Sequence, residues 1–166
     1  MADFILQILS RTPVWVWVLF IALVALGVMQ NQARSVSGSR LFALPIAMLG
    51  YSLFGALSAF GPQPAALISW GAAVLLAVFL GRFLKRPADV RYSKTTGQFA
   101  IPGSWAPLTL MMTIFFIRYI ATVALVIDAT LKQSIAFASI ISLLTGMMSG
   151  IFLARALRVL GSKKRL

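Results

Sequence analysis

The chain has 166 residues, of which 60% are hydrophobic and only 11% are charged. Soluble domains carry roughly 25% charged residues, so this composition leaves too little polar surface to cover a core in water and predicts a protein that folds in lipid. The absence of cysteine and histidine excludes disulfides, thiol chemistry and the zinc or haem sites that need those ligands, and we expect neither a metal nor a cofactor.

Five apolar segments follow one another along the chain, at residues 13–29, 41–60, 64–84, 105–127 and 134–157. Each is close to the roughly 20 residues that a helix needs to cross the hydrocarbon core of a bilayer. In lipid the backbone polar groups must be satisfied within the segment, and the alternation typical of barrel strands is not visible, so these segments are predicted to be helices. The fold class is therefore an all-α membrane protein, a single domain over residues 1–166 built as a five-helix transmembrane bundle.

The stretch before the first helix, MADFILQILSR, contains five large apolar residues in a short space. It predicts a short helix in the membrane interface or an early start of helix one. Thr12 precedes a proline and is expected to cap helix one, with Pro13 at the first helical position. The stretch carries one basic residue and no small-residue cleavage site follows, which favours a retained helix over a signal peptide.

The basic residues are distributed unevenly between the two ends of the helices. With the N-terminus outside the cell, 12 of the 15 fall in the inner gaps and the tail, whereas only Arg11 and Lys132 fall outside. The positive-inside rule then predicts an outer N-terminus and a cytoplasmic C-terminus. The net charge of +12 is placed to meet anionic head groups on the cytoplasmic side, which favours lipid over nucleic acid as the partner.

The inner gap between helices three and four holds a segment, residues 88–102, in which apolar and polar residues alternate on both sides of Gly97. This pattern is typical of a β-hairpin with the glycine at its turn. An ordered cytoplasmic loop and a loop that docks a partner are both compatible with it.

Two halves of the chain share a pattern: Gly-Ser, an apolar helix, a short outer gap, a second apolar helix, and then Leu-small-Arg. The pattern is compatible with two parallel helical-hairpin repeats preceded by one additional helix. The uncharged GPQ gap at residues 61–63 predicts that helices two and three form a tight hairpin.

Helix five carries a stripe of small residues, one at every fourth position, that includes Ser142, Gly146, Gly150 and Ala154. Small residues let helix backbones approach closely in lipid, so the stripe marks a packing surface. Two interpretations stay open, namely packing within the bundle and a homo-oligomer seam through helix five.

Arg118 stands alone in the apolar run of helix four, thirteen residues after Trp105. At 1.5 Å per residue it lies ~20 Å beyond that tryptophan, just past the midplane of a ~30 Å core. An ionisable residue at this depth is a candidate functional site. Arg118, Tyr119 and Tyr51 are the predicted intramembrane polar site. The alternative is a structural arginine that snorkels outward or hydrogen-bonds to carbonyls, to Tyr51 or to Asp128 of a neighbouring chain.

The three acids are scattered along the chain and histidine is absent, so the residues favour a protein that is not an enzyme. The leading hypothesis is a channel-like or transporter-like protein with an anion-attracting site at Arg118. The alternative is an accessory or scaffold subunit that binds another membrane protein or lipid. A cavity that touches Arg118 would favour the first.

Several motifs resemble an uncharacterised family of small multipass bacterial inner-membrane proteins, known only as a domain of unknown function. They are TPVWVW at 12–17, FALP at 42–45, LSAFG at 57–61, PGSWAPLTLMM at 102–112 and FFIRY at 115–119. The resemblance extends from about residue 12 to about residue 158. It implies a location in the bacterial inner membrane and a basic residue followed by tyrosine in the fourth helix, and it supplies no activity.

Overall fold

The computed structural model describes residues 10, 12–83, 90–93 and 97–161, and these residues form an all-α membrane bundle with a small sheet at one end. The helices are α1 (Val14–Met29), α2 (Gly38–Phe60), α3 (Pro64–Gly81), α4 (Ala106–Ile127) and α5 (Ile135–Leu160). Helices α2 to α5 are long and apolar enough to cross a membrane. Helix α1 has 16 residues, which gives a length of about 24 Å, somewhat less than a bilayer core.

Helix α1 begins one residue later than a threonine cap would place it, because Pro13 is the N-cap and no side chain caps the helix. The expectation that Thr12 caps α1 is therefore wrong. The hydroxyl of Thr12 instead lies 2.8 Å from the hydroxyl of Tyr119 on α4. The interfacial helix predicted for residues 1–11 lies outside the described residues, apart from Ser10, which is helical.

Helix α5 lies between α2 and α3 and packs against both, while α1 packs mainly against α4. The tight hairpin predicted for α2 and α3 is not formed, because these two helices contact each other only slightly and α3 packs chiefly on α5. The short gap at residues 61–63 fixes only that the two helices are joined, with Gly61 at a φ of 68°. The partner of each helix is decided by which faces carry small residues.

The stripe of small residues on α5 faces α3 within the same chain. A Cβ atom added to Gly146 would lie 2.5 Å from the carbonyl oxygen of Trp70, and one added to Gly150 would lie 2.8 Å from that of Val74. Further along, Ala154 contacts Gly81. The contacts advance in the same direction along both helices, so α3 and α5 run parallel. Any oligomer that uses α5 would need a different face of that helix.

A buried polar cluster joins α2, α3 and α5 near their middle. The indole Nε1 of Trp70 donates to Ser52 Oγ at 3.0 Å, and Ser149 Oγ lies 2.9 Å from the same oxygen. Ser52 and Ser149 are both fully buried. In lipid such bonds between helices average about 0.6 kcal/mol, so the cluster fixes the alignment of the three helices as well as adding stability.

A three-stranded antiparallel sheet covers the end of the bundle that carries the basic loops. Strands β1 (Arg34–Ser37) and β2 (Arg91–Ser93) both pair with the central strand β3 (Gln98–Ile101). Strands β2 and β3 lie within the segment for which the sequence predicts a hairpin, and Gly97 has a φ of 65°. Strand β1 was not expected. The sheet buries Phe99 against Val90 and Val159, which attaches it to the end of α5.

Candidate functional site

Arg118 is half-buried between α4 and α2, and its guanidinium rests on the backbone of Gly55. A Cβ atom at position 55 would overlap Nη1 and Cζ of Arg118, so only glycine leaves room for the guanidinium there. Gly55 itself is buried. The pairing places the charge in the half of α4 that is nearer to Ile127, nine residues or about 14 Å from that end of the helix.

The side chain of Tyr51 lies one helical turn before Gly55 and lines the same space. The centre of its ring is 5.3 Å from Cζ of Arg118, within the range at which a cation is attracted to an aromatic face. Among the residues that the structure describes, the guanidinium has no ion pair and no hydrogen bond. The ring of a tyrosine is therefore its main described partner.

A cleft of about 410 Å³ opens next to Arg118, between the start of α1 and the last turns of α4. Tyr51, Arg118 and Tyr119 all line it, together with Thr12 and Thr122. The rest of the wall is apolar or aromatic and consists of Pro13, Trp15, Val16, Leu19, Phe115, Val123, Val126 and Ile127. The cleft thus combines one cation and a few hydroxyl groups with a large apolar surface.

Local helix geometry explains this wall. Residues three or four apart on a helix share a face, so Phe115, Arg118, Tyr119 and Thr122 project toward the same region. The rings of Phe115 and Tyr119 are stacked, with centres 6.2 Å apart and planes inclined by 8°. Thr122 donates its hydroxyl to the carbonyl of Arg118 at 2.9 Å, and the bond between Thr12 and Tyr119 attaches the start of α1 to this face.

A second, much smaller cavity of about 10 Å³ lies on the other side of Arg118, toward α5. Ser142 lines it, and the hydroxyl oxygen of Ser142 is fully buried with no hydrogen-bond partner among the described residues. A cavity of this size holds about one water molecule.

Asp128, the acid among the described residues, is not paired with Arg118 within the chain. Its Oδ1 accepts bonds from the hydroxyl of Thr130 at 2.6 Å and from the backbone N–H of Thr130 at 2.9 Å. The side-chain bond, followed by the backbone bond, lowers the pKa of Asp128 below its ordinary value, so the group is anionic at neutral pH. It is fully exposed and caps the short 3-10 helix over Ala129–Lys132.

Below the cleft, toward the basic loops, α1, α2, α4 and α5 share a buried apolar layer. It consists of the buried residues Leu23, Met48, Met111, Ile114, Phe115 and Phe152. Phe115 belongs to both the layer and the cleft wall. The cleft therefore ends on a packed apolar floor.

The structure brings together the three residues that the sequence predicts as a polar site, Tyr51, Arg118 and Tyr119. It places the predicted packing residues Gly146, Gly150 and Ala154 against α3, whereas Ser142 lines the small cavity beside Arg118. Sequence reasoning missed Gly55. The signal in the sequence was a glycine one helical turn after Tyr51, at a position of α2 that lies at about the same depth in the membrane as Arg118.

Residues 2–165 match the model of a family of unknown function, DUF6622, so the chain belongs to that family. The match covers nearly the whole chain and supplies no activity. No curated protein and no solved structure matches the chain.

Proposed function

We propose that this member of a family of unknown function binds an amphipathic anion in the cleft at Arg118, and that its task in the membrane is to hold or pass on that molecule. The single observation that carries the proposal is a half-buried guanidinium at the edge of an apolar cleft with no anionic partner among the described residues.

The charge of Arg118 has a free-energy cost in lipid. An arginine near the middle of a helix in lipid costs about 2.5–3.5 kcal/mol to insert. The ring of Tyr51 returns only about 0.5–2 kcal/mol of that, depending on how far the contact is desolvated. A carboxylate or phosphate at the guanidinium would form charge-assisted hydrogen bonds with its free N–H groups, which are the strongest that a protein offers to such a group.

The shape of the cleft selects the rest of the ligand. A volume of about 410 Å³ falls within the range of small-molecule sites. Because most of the wall is aliphatic or aromatic, an inorganic anion would leave it unfilled. A molecule with one acidic group and an apolar chain or ring system, such as a fatty acid or an acidic lipid, would fill both parts.

In the orientation that we propose from the positive-inside rule, the cleft lies in the outer half of the membrane, since the basic loops lie at the other end of the helices. Binding requires no opening of the apolar floor. Transport would require the floor residues, Phe115 among them, to separate, whereas an accessory subunit would present the bound anion to another membrane protein with the floor closed. We propose binding without a chemical step, since the described lining residues offer no carboxylate or imidazole.

Tryptophan fluorescence tests the proposal, because Trp15 lines the cleft. The full chain in nanodiscs of zwitterionic lipid is titrated with a brominated fatty acid, and with its methyl ester as the uncharged comparison. We expect the acid to quench the fluorescence saturably and the ester to bind at least about tenfold more weakly, since a charge-assisted bond contributes about 1.5–3 kcal/mol.

Arg118→Gln should reduce the affinity for the acid to that of the ester. Lys132→Gln is the matched control, because Lys132 is an exposed basic residue beyond the same end of α4 and does not line the cleft. Equal binding of acid and ester to the parent protein, or equal losses in the two variants, would contradict the proposal.

A further inference from the structure

A second cavity, of about 60 Å³, lies at the opposite end of the bundle from the Arg118 cleft. Three arginines from three separate elements line it: Arg34 on β1, Arg40 in the first turn of α2, and Arg155 near the end of α5. Among the residues that the structure describes, none that lines the cavity is acidic. Three cations around one cavity repel one another, and a bound anion would relieve this repulsion.

The side chains are held by their surroundings to different degrees. Nη2 of Arg34 donates to Oε1 of Gln30 at 2.7 Å, which fixes one side of the cavity. Arg155 is half-buried, whereas Arg34 and Arg40 are exposed. The buried residues Phe152 and Val159 also line the cavity, so its inner wall is apolar and does not neutralise the three charges.

The helix dipoles do not account for the positive potential at this cavity. The starts of α2 and α4 and the ends of α1 and α5 all border the cavity, so the positive and negative ends of the helix dipoles offset one another there. The positive potential therefore comes from the arginine side chains. Guanidinium groups bind phosphate oxygens in pairs of parallel hydrogen bonds, which a lysine cannot do.

The size of the cavity agrees with one phosphate group. At 10–15 Å³ for each water molecule, 60 Å³ has room for roughly four to six waters, or for a group of five heavy atoms with part of its attachment. Phe152, which lines the cavity, also belongs to the buried apolar layer of the bundle. It would accept a head group and leave the attached chains outside.

We propose that Arg34, Arg40 and Arg155 form a binding site for a phosphate group, supplied either by an anionic phospholipid head group or by free phosphate. The site is separate from the Arg118 cleft and does not rest on the function proposed for it. It lies at the end of the bundle where the basic loops meet the membrane surface. The three arginines would bind one defined phosphate group there, in place of a diffuse attraction to the surface.

Binding measurements on the purified full chain test this site. In detergent, sodium phosphate is titrated against the protein at constant ionic strength, with sodium chloride as the blank. In nanodiscs, the retention of phosphatidylglycerol is compared with that of phosphatidylcholine by native mass spectrometry. Saturable retention of phosphatidylglycerol with weak free-phosphate binding identifies a lipid head group as the source, and saturable binding of free phosphate identifies a soluble anion.

Arg155→Gln should weaken binding of the preferred ligand about tenfold or more, since it removes charge-assisted hydrogen bonds to the phosphate oxygens. Arg82→Gln is the matched control, because Arg82 is an exposed arginine at the end of α3 that does not line the cavity. Arg34→Gln provides a second test on an exposed strand residue, in case Arg155→Gln impairs folding.

Three outcomes would overturn the proposal. The first is a parent protein that binds phosphate no better than chloride and retains the two lipids equally. The second is an equal loss in Arg82→Gln and Arg155→Gln, which would show a general attraction to basic surface. The third is full binding by Arg34→Gln and Arg155→Gln.

Discussion

The guanidinium of Arg118 occupies the space that a Cβ atom of residue 55 would fill, so Gly55 and Arg118 are fitted to each other across the contact of α2 with α4. Glycine within a helix is usually unfavourable by about 0.5–1 kcal/mol relative to alanine. At position 55 the glycine has a steric reason. The position of the charge beside the cleft depends on it.

Gly55→Ala is expected to lower the free energy of unfolding by about 1 kcal/mol, at the low end of the cost of overpacking, because the added methyl group displaces the guanidinium, which ends a flexible side chain. The same substitution in an Arg118→Ala background should cost much less, because the obstructing group is gone. Unfolding of all four proteins in one detergent gives the interaction energy as a double-mutant cycle.

Gly50→Ala is the control for the helix itself, since a Cβ atom at residue 50 of α2 has no neighbour within 4 Å. It should be neutral or slightly stabilising. If Gly55→Ala behaves like Gly50→Ala, or costs the same with and without Arg118, the guanidinium does not lie on Gly55.

The contact of α3 with α5 predicts that Gly146→Ala and Gly150→Ala each destabilise the bundle. The atoms that a new methyl group would meet include the backbone of Trp70 and of Val74, which cannot rotate away, so α3 must shift. We expect a loss of about 1–3 kcal/mol for each, measured as thermal stability in detergent. The elution volume should stay that of the parent, because the contact lies within one chain.

Gly71→Ala on α3 is the comparison, since a Cβ atom there meets nothing within 4 Å. A change of elution volume in the Gly146 or Gly150 variants would point to a seam between chains. Unchanged stability in both variants would remove the packing role altogether.

The membrane orientation can be tested through the ends of the chain. With 12 of 15 basic residues on one side, we expect the C-terminus in the cytoplasm. A C-terminal fusion to a reporter that is active only outside the cytoplasm should be silent, whereas a fusion to a fluorescent protein that folds only in the cytoplasm should be bright. The opposite pair of signals would invert the bundle and place the Arg118 cleft in the inner half.

The hydrophobic pattern predicts the helices well because each of them must satisfy its backbone within one apolar segment, and this requirement is local. The same pattern does not predict which helices contact each other. The GPQ loop predicts that α2 and α3 pack together, yet α5 packs against both, because the pairing is decided by small residues that face each other from distant parts of the chain. Strand β1 could not be predicted for a similar reason, since its four residues pair with β3, which lies more than sixty positions away in the sequence.

Some residues of the candidate site could likewise be predicted from the sequence, and others could not. Arg118 stands out because a charge in an apolar run is costly, and Tyr51 follows from its depth in α2. Gly55 is marked only by its place one helical turn after Tyr51, and Arg34, Arg40 and Arg155 are not distinguished by residue type or spacing. Each of those arginines is explained by the charge bias of the loops alone, and only the fold shows that they surround one cavity.

The buried cluster of Ser52, Trp70 and Ser149 yields the last prediction. Ser52→Ala removes the acceptor of the Trp70 Nε1–H and of the Ser149 hydroxyl, so that the half-buried indole and the fully buried hydroxyl both lose a bond. Interhelical bonds in membranes are worth about 0.6 kcal/mol on average and at most about 1.7 kcal/mol. Losing two should cost about 1–2 kcal/mol of stability in a detergent unfolding assay. Ser58→Ala should change little, because the exposed Ser58 hydroxyl donates only to the carbonyl of Gly55 on its own helix, at 3.2 Å. Similar stabilities for the two variants would mean that packing alone aligns α2, α3 and α5.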